Sequence, residues 1–354
     1  MSKLIRTIMV SLIAVCMGLL TGGIIMVIVG YNPFAAYDTL FSTAFANVHN
    51  IGEILRVMTP LILIALGFAV SSKAGFFNVG LPGQALLGWT AAGTFAVMTP
   101  DMPQMVSIPL SILIAMLAGG LAASIPGVLR AFCGASEVIT TIMMNYIILY
   151  ATNAFVMDYL VPHYSATGKG VTVKIPVTAS YKVDWLTEFF DASKINLGIF
   201  MAVCAVIIVW FMMNKTTLGY EITVVGFSSH TAEYAGMSAK RLIIIAMMIS
   251  GALAGLGGAI DGLGTYSYIK QQTASLSIGW TGMAVALLAA NSPIGIPFAA
   301  LLYGILEVGK SGMQAVAAPE IVDVISALII FFVAIHAVIE RLLPIKKSLE
   351  GGQS

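Results

Sequence analysis

Charge is what this chain has least of. Only 9% of its 354 residues are Asp, Glu, Lys or Arg, while 59% are hydrophobic. Mean hydropathy is +0.97. A soluble domain carries about 25% charged residues, so this shortage excludes an ordinary globular core and places the chain in a bilayer. A net charge of +1 leaves no basic surface for nucleic acid, and none is expected as a partner. Cysteine is equally sparse. Cys16, Cys133 and Cys204 stand apart in apolar surroundings, which excludes a disulfide framework or a thiolate metal cluster. His49, His163, His230 and His336 are scattered, and neither H-E-x-x-H nor G-x-S-x-G occurs, so no constellation for intramembrane hydrolysis is present. No metal and no cofactor are expected.

What the chain has instead is apolar length. Runs long enough to approach a bilayer crossing of roughly 20 residues lie near 7–29, 51–70, 76–98, 105–129, 137–157, 196–213, 242–262, 279–291, 295–310 and 320–340. The expectation is an all-α polytopic membrane protein forming one transmembrane domain over 1–354, with about ten transmembrane helices, some of them broken. The eighth and ninth runs are short and separated only by Asn291-Ser292-Pro293. The first run is retained rather than cleaved, since it reads through Gly22-Gly23 without an A-x-A-type site. With the N-terminus inside, ten of the 17 Lys and Arg (Lys3, Arg6, Lys73, Arg130, Lys215, Lys240, Arg241, Arg341, Lys346 and Lys347) fall on cytoplasmic ends and seven outside, and an even helix count makes both termini cytoplasmic.

One stretch argues for a different chemistry. Residues 304–311 read GILEVGKS and match the phosphate-cradling pattern G-x-x-x-x-G-K-[ST]. The pattern needs a strand before it and a helix after it. Here the preceding IPFAALLY is Ala/Leu-rich like a helix, and Lys310 falls at the outer end of its run, away from cytoplasmic ATP. Gly304 and Gly309 then read as helix-packing positions and Lys310 as an interfacial end residue.

Two polar connections stand out. Residues 158–195 form an extracytoplasmic loop and 214–241 a cytoplasmic one, NKTTLGYEITVVGFSSHTAEYAGMSAKR. Within the second, Ser228 to Ala235 has the composition of a short helix with a Ser cap, flanked by Gly226 and Gly236. The run from that point, GFSSHTAEYAGMSAKRLIIIAMMISGALAGLGGAIDGLG, resembles the membrane permease subunits of ABC importers for branched-chain amino acids, simple sugars and nucleosides. KAGFFNVGLPGQALLGW (73–89) and SEVITTIMMNYI (136–147) are similar to the nucleoside branch in particular.

The resemblance implies a permease with no ATPase of its own. Its partners would be cytoplasmic ATP-binding subunits, a second permease subunit and an extracytoplasmic substrate-binding lipoprotein, all at the cell membrane. Ser228, Thr231, Ala232, Glu233, Ala235 and Gly236 would seat the ATPase. An ATPase moves membrane helices only through a rigid element, and a glycine-hinged short helix suits that task; a solvated connector is the alternative. Import of simple sugars or branched-chain amino acids remains open. An ion-coupled secondary transporter is the other class, although it would usually carry a mid-membrane charge, and none is clear away from the ends of the runs.

Along the membrane runs, Gly251, Gly255, Gly258 and Gly262 recur at helical spacing that lets backbones approach closely. Asp261 falls at the outer end of that run, where a charge costs little. Glu137 opens its run as a helix-dipole partner. Candidate pathway residues are Asn78, Gly80, Pro82, Gln84, Asn145 and Asn291: uncharged amides bind a neutral solute weakly enough to release it, and breaks free backbone groups near the path. The same amides could instead cap the broken helices. Gly80-Leu81-Pro82 and Gly295-Ile296-Pro297 share G-[LI]-P-x-x-A-L-L, each after an Asn-containing break, as an internal repeat would.

Overall fold

A computed structural model describes residues 3–165 and 172–334, almost all of them helical. In chain order the helices begin with α1 (Lys3–Val29), α2 (Pro33–Ala44), α3 (Val48–Lys73), α4 (Leu81–Met98), α5 (Gln104–Cys133) and α6 (Glu137–Phe155). A π-type turn, Val156–Leu160, carries α6 on into α7 (Val161–Tyr164). Strand β1 (Thr172–Lys174), α8 (Asp184–Phe189), α9 (Gly198–Lys215), α10 (Thr217–Phe227), α11 (Ser229–Tyr234) and α12 (Ala239–Ala259) follow. A second π-type stretch, Ile260–Tyr266, extends α12, and β2 (Tyr268–Lys270), α13 (Ser277–Leu288), α14 (Ile296–Met313) and α15 (Pro319–Ala334) complete the series.

Among the described residues, five helical segments are long and apolar enough to cross a membrane: Val48–Lys73, Gln104–Cys133, Glu137–Tyr164, Gly198–Lys215 and Ala239–Tyr266. The runs expected near 279–291 and 295–310 are helices of 12 and 18 residues. Helix α2 was not anticipated. Asn32 accepts hydrogen bonds from the Phe34 and Ala35 amides (3.0 and 3.3 Å) and Pro33 opens the first turn, so a short segment too polar for a membrane scan still starts a helix. The basic termini Arg341, Lys346 and Lys347, and His336, lie outside the described residues, as do the side chains of Lys3 and Arg6.

The described chain divides into two compact units. In the larger, residues 47–304, the interior segments are α3 and α12 with its extension: 83% and 72% of their most apolar stretches are buried, against 22% for α9, which lies at the periphery. The expected glycine seam packs α12. Gly251 meets Gly119 and Ala123, Gly255 meets Ala115 and Gly119 on α5, and Gly258 meets Ala85 on α4, each so closely that an added methyl would strike neighbouring backbone or side chain. At one end of this unit β1 pairs antiparallel with β2, Val173 opposite Ile269. Tyr181 is fully buried at that end, bonded to Ser111 at 2.8 Å, and burial pushes its phenol up to about 12.

The smaller unit comprises the described residues before 47 and after 304. In it Tyr37 donates to the Leu19 carbonyl at 2.5 Å, and Gly309 lies against Leu40. Residues 304–311, the GILEVGKS match, are helical throughout, within α14. Lys310 does not simply reach for the interface, as its position suggested; it pairs with Asp323 of α15 at 2.5 Å. A phosphate-cradling loop needs consecutive free backbone amides, and those of an unbroken helix are already spent on the preceding turn.

Candidate functional site

The link between α3 and α4 is the point where the larger unit opens its backbone. Helix α3 stops at Lys73 because Gly75 takes a left-handed φ of +82°, and α4 restarts at Leu81 with Pro82 in its first turn, where a missing amide hydrogen costs nothing. Asn78 lies between them, fully buried. Its Oδ1 accepts from the Gly80 amide (3.0 Å) and from Gln84 Nε2 (3.1 Å), while its Nδ2 donates to Gln84 Oε1 (3.0 Å) and to Ser250 Oγ on α12 (2.9 Å). Asn145, on α6 and 2% exposed, accepts from the Gly83 amide at 2.9 Å and donates to the Val79 carbonyl at 2.8 Å. Three helices thus hold one break through uncharged amides. Glycine is required at the crossing point, because a Cβ on Gly83 would sit 2.8 Å from Asn145 Oδ1.

Asn78, Gly80, Pro82, Gln84 and Asn145 are therefore brought together, with every amide satisfied by a partner at the break. Asn291 is not among them. It follows α13 in a left-handed turn (φ +55°) and donates to Ser72 Oγ at 2.8 Å. The two G-[LI]-P motifs do share a local role: each opens a helix, α4 and α14, with proline as its second residue. Phe76 packs under Arg130 (5.8 Å), which pairs with Glu137 at the start of α6 (3.4 Å).

The same link meets the 214–241 loop. There α11 forms as the Ser cap foretold, the Ser228 hydroxyl accepting from the Thr231 amide at 3.2 Å, and the chain turns at Gly236 with φ +81°. Thr231, Glu233, Ala235 and Gly236 are exposed, Ala232 is fully buried, and Ser228 serves as the cap. Just before it, Gly226 at the end of α10 lies backbone to backbone on the α3–α4 link: a Cβ there would strike the Lys73 carbonyl and come within 2.9 Å of the Gly75 nitrogen. The loop residues and the buried amides are joined by a few backbone atoms.

Comparison with known proteins gives this arrangement its family. The family model described as branched-chain amino acid transport system / permease component matches residues 50–334. The chain belongs to that permease family. The nucleoside ABC transporter permease protein NupB of Lactococcus lactis is 45% identical over 100% of this chain and 98% of its own length. The guanosine ABC transporter permease protein NupP of Bacillus subtilis is 41% identical over 94% of this chain and 95% of its own. The glucose ABC transporter permease protein TsgB13 of Haloferax volcanii is 31% identical over 90% and 85%. This chain is accordingly a multi-pass membrane permease component and not itself an enzyme.

Two features of this permease escaped the sequence reading, the exposed aromatics at α11 and the Trp89–Tyr266 stack, and one expectation is overturned. Phe227, just before α11, and Tyr234, its last residue, are 87% and 94% exposed, large aromatics that a polar loop would otherwise bury or omit. Their place among polar residues was the available signal. Asp261 corrects an expectation: it is not at a solvated end but 6% exposed, because the helix continues past it as the π-type stretch 260–266. Thr265 hydrogen-bonds it, and Arg56, itself paired with Glu53 at 2.6 Å, lies within electrostatic reach. Beside it Trp89 stacks on Tyr266 (5.5 Å, 13°), its indole nitrogen buried without a partner. A charge in the interior of a membrane unit is costly and marks a functional position by default.

Proposed function

We propose that this permease is the membrane subunit of an ATP-driven importer of nucleosides. The observation that carries the reading is near-full-length identity of 45% and 41% to a nucleoside and a guanosine permease, against 31% to a glucose one. The break is held by uncharged amides that bond one another, so a neutral, hydroxyl-rich ring would pass by exchanging those bonds as the break opens. The full layout would be about ten spans, with both termini and the 214–241 loop cytoplasmic and the 158–195 loop outside. The structure supports the relative placement, since the Glu53 carboxylate bonds the Lys194 amide at one end and Gly226 meets Lys73 at the other.

In this reading the cytoplasmic ATP-binding subunits seat on α11 through Thr231, Glu233, Ala235 and Gly236, with Phe227 and Tyr234 as aromatic anchors. Closure of those subunits pushes α10, and Gly226 passes the displacement to the link carrying Asn78. Substrate passes beside the α4 start, along Gly80, Pro82, Gln84 and Asn145. A second permease subunit would complete the path, and an extracytoplasmic binding protein would deliver substrate. The test is uptake of labelled nucleoside by cells with and without this chain. Competition by unlabelled nucleosides but not by glucose or leucine supports the reading, and competition by glucose or leucine alone sinks it.

A further inference from the structure

At the end of the larger unit that carries the 214–241 loop, a cavity of about 490 Å³ opens between the ends of α3 and α9, the start of α10 and the turn after α13. Its polar lining includes Lys73, Asn214, Tyr220, Thr223 and Asn291, with the hydroxyls of Thr216 and Ser292 bonded to backbone, and Trp210 forms part of the wall. Lys73 ends a membrane-length helix and Asn214 nearly ends another, so the cavity lies at the depth where hydrocarbon gives way to headgroups. Lysine, Trp and Tyr are the side chains that occupy this level. Besides the solvent-exposed Tyr220 hydroxyl, two polar groups in the lining lack a counterpart. Lys73 is exposed and makes no ion pair among the described residues. Asn291 spends its Nδ2 on Ser72 Oγ, which fixes the amide, and its Oδ1 is left buried with no donor. The site thus offers one cation, and one acceptor that requires an N–H or O–H.

We propose that this cavity binds a phospholipid headgroup whose phosphodiester pairs with Lys73 and whose terminal hydroxyl or ammonium donates to Asn291 Oδ1. A phosphodiester answers the free lysine. The tip donor answers the orphaned acceptor, which the phosphodiester itself, having no O–H, would leave unpaired. The apolar part of the lining, Val70 and Val209 among it, continues from the headgroup level toward the acyl region. Because Tyr220 and Thr223 belong to α10, a seated headgroup also buttresses the helix whose end, Gly226, rests on the α3–α4 link.

The experiment is native mass spectrometry of the full chain, purified in mild detergent with the subunits it retains and titrated separately with phosphatidylglycerol, phosphatidylethanolamine, phosphatidylcholine and glycerophosphate. Expected is one tightly held phosphatidylglycerol or phosphatidylethanolamine per chain. Phosphatidylcholine, which keeps the phosphodiester but has no N–H or O–H at its tip, should bind about tenfold more weakly, and glycerophosphate should not be retained. Lys73→Gln and Asn291→Ala should each weaken retention about tenfold, Lys73→Arg should restore it, and Lys215→Gln, which stands between the lining Asn214 and Thr216 without lining the cavity itself, should change nothing. Equal retention of phosphatidylcholine, or loss with Lys215→Gln as large as with Lys73→Gln, would mean diffuse interfacial charge and overturn the site. Retention of glycerophosphate at lipid-like strength would assign the cavity to a soluble phosphoester instead. Each variant's monodispersity in the same spectra separates lost binding from lost folding.

Discussion

Gly226→Ala is the smallest change that should separate ATP hydrolysis from transport. The new methyl would strike the Lys73 carbonyl and come within 2.9 Å of the Gly75 nitrogen and 3.0 Å of the Ala74 carbonyl carbon. These are backbone atoms with no rotamer to escape into. Alanine favours the helix over glycine by about 1 kcal/mol, so propensity alone predicts a gain. Overpacking against fixed atoms costs about 1–3 kcal/mol, and that cost falls on the state in which α10 lies on the link. A bias of that size shifts a two-state equilibrium about 5–150-fold. The seat residues from Thr231 to Gly236 are untouched, so the ATPase should still co-purify. The measurement is nucleoside uptake per ATP hydrolysed by the transporter in proteoliposomes: expected is hydrolysis retained with the transport ratio reduced at least fivefold. Gly134→Ala at the end of α5 is the control, with φ +64° but nothing within 4 Å of the added methyl, so it should cost local strain without touching the link or the seat. A normal ratio for Gly226→Ala, in a chain that assembles normally, would show that this contact carries no coupling.

Other outcomes follow from the same geometry. Asn78→Leu strands the Gly80 amide, Gln84 and Ser250, whereas Asn145→Leu strands Gly83 and Val79. At about 1–3 kcal/mol for each buried group left unpaired, both variants should melt earlier in detergent, Asn78→Leu the more so; unchanged melting would remove the amides from the framework. Phe227→Ala and Tyr234→Ala, at positions almost wholly exposed, should leave expression intact but weaken capture of the ATP-binding subunit by about 2 kcal/mol each if they are docking anchors. Undiminished capture by both would leave α11 a connector. Lys310→Ala loses an ion pair with an exposed Asp323, worth at most about 1 kcal/mol, and should leave nucleotide binding by the assembled transporter unchanged; a loss there would revive the phosphate-loop reading of GILEVGKS.

Much of this was legible because glycine, proline and asparagine punctuate an otherwise monotonous apolar chain. Gly80-Leu81-Pro82 gave away the start of α4, Ser228 with Gly236 gave away α11, and the Gly251–Gly262 spacing gave away the close crossing of α12 on α4 and α5. Partner identity was beyond a linear reading. That Asn145 caps Gly83 and Asn78 reaches Ser250 depends on α6 and α12 lying beside the break, contacts 62 and 172 residues apart in sequence. Hydropathy also misplaced Asp261: a charge ends an apolar run on a hydropathy scale, whereas in three dimensions the helix continues and buries it beside Thr265. Helix α2 was missed for the opposite reason, being too polar for a membrane scan yet started by Asn32 and Pro33. Phe227 and Tyr234 stand out in the sequence only as aromatics among polar residues, and the structure adds that both are left in the open, one just before α11 and one at its end.

The central claim is that this chain conducts nucleosides under the power of an ATPase on another chain. The most direct test is labelled guanosine uptake by proteoliposomes holding this permease, its partner permease and ATP-binding subunits, and the substrate-binding protein. The account predicts saturable uptake that requires ATP, stops when this chain is omitted or the ATPase is inactivated, and is unaffected by excess glucose or leucine. Uptake that persists without ATP under an ion gradient, or that carries glucose or leucine and no nucleoside, would contradict it.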